Sequence, residues 1–149
     1  MAIAAAGPIR WSDLRQEFGG SGPLRLSELR RGGLLVREKA ANNTAVNLAQ
    51  QVPAVGPIML SAFRGIAKGF QASVAATTYN YSMAAAFGND WGVDYPKTTV
   101  INAGVVVGAY PGQYAVTVSG GVGPIALINN GDIQGSTPSR SQAPGNSCG

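Results

Sequence analysis

The side chains able to do chemistry are few and scattered. Histidine is absent, which removes the commonest general base and metal ligand. The one cysteine, Cys148, sits in the C-terminal tail; a lone thiol forms neither an internal disulfide nor a zinc site. Asp90 and Asp94 stand four apart around Trp91, with Tyr95 next in line. Carboxylates beside aromatic rings suit a sugar-binding surface, so Asp90, Trp91, Asp94 and Tyr95 are the candidate glycan contacts. Their loop, Gly88 to Pro96, lacks the regularly spaced oxygen ligands of a calcium site, and it also reads as an ordinary packed loop. There is no Gly-x-Ser-x-Gly elbow and no phosphate loop. The expectation is a protein that is not an enzyme, with no cofactor and no metal.

A second set of residues repeats. Three nine-residue phrases read GPIRWSDLR (Gly7 to Arg15), GPLRLSELR (Gly22 to Arg30) and GPIMLSAFR (Gly56 to Arg64). Three copies in so short a span point to a repeated supersecondary unit. Gly-Pro marks a turn, because proline fixes φ and donates no backbone hydrogen bond. The next three residues alternate apolar, variable, apolar, which predicts a very short strand ending at Trp11, Leu26 or Leu60. Ser12, Ser27 and Ser61 then stand where a helix N-cap belongs. Leu14, Leu29 and Phe63 point the following turn inward, and Arg15, Arg30 and Arg64 suit its far end. Phe18 anchors the joint between the first two units. These residues form the candidate docking set, since a compact, shaped segment can lock into a partner.

The elements that position these residues follow from composition and pattern. The chain has 149 residues with only 12% charged and 21 glycines, which fits closely packed chains in an assembly better than a free enzyme. Residues 1–68 carry a net charge of +5 and residues 69–149 a net of −1. The arginines recur at one place in each phrase, so the basic half reads as capping and partner contacts, not as a nucleic-acid surface. No signal peptide or membrane span is evident. Residues 34–55 read as a largely irregular connection, and residues 66–72 as the boundary. Beyond it lie short strands at 97–102, 105–107, 113–119, 125–129 and 132–134, with strand chemistry over 73–82 and an alternative short helix over 82–87. Asn130-Gly131 reads as a tight turn. The predicted class is therefore mainly β: a docking segment of short-strand and helical-turn repeats at 1–68, then a small β-sandwich or β-solenoid-like domain at 69–135. Residues 136–149 form a flexible Ser/Pro tail.

The run IRWSDLRQEFGGSGPLRLSELRRGG (Ile9 to Gly33), echoed by VPAVGPIMLSAFRG (Val52 to Gly65), resembles a segment near the N-terminus of many tailed-bacteriophage tail-fibre and minor virion structural proteins. Lys97 to Gly135 is similar to β-structured fibre segments, although a Ser/Pro tail replaces their long glycine-rich run. The resemblance implies a virion location and a homotrimer. Its N-terminal part would dock on other virion proteins of the tail or baseplate, or alternatively the capsid as a decoration or head-fibre protein. A host surface glycan is the other partner considered.

Overall fold

The structure, a computed structural model, describes residues 2–19 and 22–136; the predicted tail and Cys148 fall almost wholly outside them. The described chain is rich in short strands, with two short α-helices and several small sheets.

The N-terminal residues gather on one apolar cluster. Ile3, Leu14, Phe18, Leu29, Val36, Ala49, Val52, Phe63 and Ile66 are buried together, flanked by Ile9, Leu24 and Ile58. All three repeated phrases therefore contribute the same two apolar positions to one core. Helix α1 (Trp11–Phe18) is the longest element here. The second phrase makes only a turn over 26–29, and the third a 3-10 turn over Leu60–Phe63. The predicted short strands do not form: Ile9 and Arg10 precede the helix without strand pairing, and Trp11 already lies inside it.

The following residues pair in a different way. Strand β1 (Val46–Asn47) lies antiparallel on β2 (Phe70–Val74). Strand β2 then pairs in parallel with β5 (Lys97–Ile101), and β5 with β8 (Ile125–Asn129). Beside this sheet, β3 (Thr78–Tyr79), β6 (Val105–Val107) and β9 (Asp132–Gln134) form a second parallel sheet. Strands β4 (Tyr81–Ser82) and β7 (Val116–Thr117) form a third. Three passes of the chain thus stack on one another. Phe70 meets Lys97 and Lys97 meets Ile125; Val105 meets Asp132. Among the described residues the first pass alone contains a helix, α2 (Met83–Phe87), capped by Ser82, whose hydroxyl accepts from the Ala85 amide at 3.3 Å.

The inward face of the stack follows strand alternation. Phe70, Ala72 and Val74 are buried on the first pass, and Lys97, Thr99 and Ile101 on the second. Two corners need glycine. A Cβ on Gly104 would lie 2.7 Å from the Ala76 carbonyl oxygen, and one on Gly131 would clash with the Gly104 oxygen. Asn130-Gly131 is therefore a corner between two sheets, with β8 and β9 on different faces. The segment 113–119, the clearest alternating stretch in the sequence, pairs only at Val116 and Thr117. Among the described residues its partner strand, β4, is two residues long, so beyond the Ala115 carbonyl, which accepts from the Tyr81 amide at 2.8 Å, the alternation continues without a ladder partner.

Candidate functional site

The three phrases are one construction used three times. Gly7, Gly22 and Gly56 adopt φ of 92°, 96° and 82°, a region that glycine enters at no steric cost. The proline directs the chain, and the aliphatic residue after it packs on the core. The next residue, Arg10, Arg25 or Met59, is where the helical turn begins, two positions earlier than the serine. The Arg10 amide donates to Asp13 Oδ2 at 2.8 Å, and the Arg25 amide to Glu28 Oε2 at 3.1 Å. An acid three residues into the turn thus reaches back to the residue that opens it. In the third unit Ala62 replaces the acid, and only the backbone bond from Ala62 to Met59 at 3.0 Å remains.

The serines consequently do not cap. Ser12 lies one residue inside α1, and its hydroxyl meets Asp13 Oδ1 at 3.4 Å; Ser27 and Ser61 are likewise exposed. The physical reason is register: with the turn opening at the fourth phrase position, the sixth already has helical backbone and its hydroxyl faces water. Leu14, Leu29 and Phe63 are fully buried, as their position predicts, and Phe18 meets Phe63 edge-on at 5.8 Å between ring centroids. Two of the arginines tie one unit to another. Arg15 Nη2 donates to the Gly22 carbonyl at 2.6 Å, and Arg64 Nη2 to the Gly7 carbonyl at 3.1 Å. Arg30 is partly buried.

What faces solvent is also repeated. The Gly-Pro and serine of every unit are exposed. Trp11 and Leu26, expected to be the buried ends of short strands, are 49% and 44% exposed, and Met59 is 71% exposed. Leu60 stays partly covered against the core. Trp11, Ser12, Arg15, Gln16 and Leu24 line a shallow cleft of about 680 Å³. An indole at the rim of an open apolar cleft is the side-chain type that anchors protein interfaces.

The expected glycan contacts are placed differently. Asp90, Trp91 and Tyr95 are buried; only Asp94 is exposed. Asp90 Oδ2 accepts from the Ala40 amide at 2.9 Å and from the Asn43 side-chain amide. Trp91 stacks on Phe87 and donates its indole N–H to the Ser119 carbonyl at 2.7 Å. The Tyr95 ring lies 5.1 Å from that of Phe70, and its hydroxyl reaches the Leu35 carbonyl at 3.3 Å. Burial pushes the Tyr95 phenol up to about 12. These rings offer no face to a sugar, so the four residues form no glycan surface. The loop is a core element, because two aromatic residues in it have apolar partners on α2 and β2.

Lys97, not singled out in the sequence, is the most unusual charge of this region. Its ammonium is buried and donates to the carbonyls of Val93, Tyr95 and Val122 at 2.5, 2.9 and 2.7 Å. Burial lowers its pKa, with Asp90 and Asp94 opposing the shift. All three donors are used, so the group clips two loops together and is not free to act as a nucleophile. The one signal in the sequence is its inward place in the KTTVI alternation. Sequence reasoning also missed three exposed tyrosines, Tyr79, Tyr110 and Tyr114. Among the described residues no three His, Cys, Asp or Glu gather as a metal site, and no helix is long and apolar enough to cross a membrane. No family model, curated protein or solved structure matches the chain.

Proposed function

We propose that this chain is a non-enzymatic structural component of a bacteriophage virion, a tail-fibre or tail-tip part that docks through its N-terminal units. The observation that carries the reading is the repeated division of labour in those units. Each buries its anchor residue completely within one core, while Trp11, Leu26 and Met59 remain in solvent on rigidly turned segments. Rigid, pre-shaped apolar side chains bind at a low ordering cost, and burying them against a partner stabilises the joint by roughly 25 cal/mol per Å² of apolar surface. The phrase resemblance supplies the virion context. In this reading the parallel stack is a short β-solenoid, favoured over a sandwich by the parallel register of β2 to β9, and it is the part presented away from the dock.

The test is immunogold labelling of particles purified from cultures producing the chain, with the Trp11→Ala/Leu26→Ala double variant beside the natural sequence. The expected result is labelling at the tail end for the natural chain, and its loss in the variant with the fold intact. Label on the capsid would move the reading to a head-fibre or decoration protein. Absence of the chain from purified particles would overturn it.

A further inference from the structure

The four-stranded sheet of the stack is covered at one end and open at the other. At the closed end β1 covers the edge of β2, with the Leu48 amide donating to the Gly69 carbonyl at 3.0 Å. Ala45 packs into the same cluster as Phe70 and Ala72. At the other end the third pass has nothing described above it. By register Leu127 lies over Thr99 and Ile133 over Val106, both fully buried inward positions. Leu127 and Ile133 therefore also face the interior column, yet each is 41% exposed. The backbone is equally open. The Lys97 amide donates to the Pro124 carbonyl and the Asn130 amide to the Ile101 carbonyl, so even-numbered groups from 124 to 130 face β5. The N–H and C=O groups of Ile125, Leu127 and Asn129 face outward.

We propose that this open end is an interface between two copies of this chain, joined end to end about a two-fold axis. Stacked folds need a polar cap at each terminus, and free strand edges are normally blunted by charge, proline or a bulge. Strand β8, Ile125-Ala126-Leu127-Ile128-Asn129, has five paired residues in regular register, with no charge and no proline. Residues 137–149 are a poor lid: beyond Pro138 and Pro144 their apolar side chains are only Ala143 and Cys148. A second copy brings the same uncharged edge, so pairing sets no like charges on β8 against each other. Head-to-tail stacking is blocked because β1 occupies the closed end. Open end must meet open end, and such a contact is isologous and closes at two copies. A trimer arranged about the long axis of the stack would leave Leu127 and Ile133 uncovered.

The test uses the full-length chain. Light scattering over a range of concentrations is expected to give twice the 15.2 kDa chain mass. Leu127→Lys, which would place two ammonium groups in the joint, is expected to halve the mass while keeping the circular dichroism spectrum. Hydrogen exchange on the natural chain provides a reading that needs no variant: protection of the Leu127 and Asn129 amides should rise with protein concentration. A monomer or a trimer, or protection independent of concentration as the chain's own tail would give, overturns the proposal.

Discussion

Residues 7–64 repeat in sequence, whereas residues 70–134 repeat only in register. In the first region each unit depends on a specific local device: a glycine at positive φ, a proline, an anchor at the eighth position. Each device demands a particular residue, so the repetition is visible as letters. In the stack, the same column holds Phe70, Lys97 and Ile125. What repeats there is inward alternation, which many side chains satisfy; the glycine corner recurs only at Gly104 and Gly131, with Ala76 beneath them on the first pass. Gly123-Pro124 shows the difference within one motif. Gly123 has φ of 81°, the same turn as the three phrases, but no serine or arginine follows and the chain enters β8 instead of a helical turn.

The comparison breaks most visibly at the anchors. Phe63→Ala should destabilise the fold by about 3–5 kcal/mol, the usual cost of emptying a buried aromatic site, measured by urea denaturation. A cost near that of a surface change would mean that the three phrases do not share one core. Next is the joint between the regions, at Tyr95, whose hydroxyl reaches Leu35 in one and whose ring packs on Phe70 in the other. Burial raises its folded pKa to about 12, from an ordinary value of 10.0. The neutral phenol therefore stabilises the fold fully below pH 10, and that contribution is lost as pH rises toward 12. The loss is about 2–3 kcal/mol from the linkage relation, and Tyr95→Phe should flatten the alkaline limb of a stability profile. An unchanged slope would place the ring in water.

Smaller in effect is the register device. Gly131→Ala should cost about 1–3 kcal/mol, as overpacking against backbone does, because its Cβ would meet the Gly104 oxygen. A neutral result in thermal melts would show that the corners are looser than their stacking implies. Least of all, Trp11→Ala should change stability by roughly 0.5 kcal/mol, since half of the indole already faces water. A large loss would return Trp11 to the core and remove it from the dock.

Much of this was legible in the sequence. The eighth-position anchors and most of the strands follow from spacing and alternation. The serine caps and the buried Trp11 did not follow, because a shift of two residues in where the turn opens exchanges inner and outer positions, and Asp13 and Glu28 set that opening. The Asp90 to Tyr95 loop allows two readings from sequence, a glycan surface and an ordinary packed loop, and the burial of Asp90, Trp91 and Tyr95 bears out the packed one. Local composition cannot distinguish aromatic rings beside carboxylates at a surface from the same rings packed on Phe70 and Phe87, residues supplied from outside the loop. Lys97 shows the same limit: its three carbonyl partners come from two separate loops, and no local pattern announces them.

The central claim is that each of the three units buries its anchor and leaves one large apolar side chain exposed for docking, Trp11 and Leu26 at the fifth phrase position and Met59 at the fourth. The most direct measurement is the amount of chain retained in purified particles when Trp11, Leu26 and Met59 are all changed to alanine, with the thermal melt recorded in parallel. The account predicts a melt close to that of the natural chain and loss of incorporation. Full incorporation of a folded triple variant would contradict it.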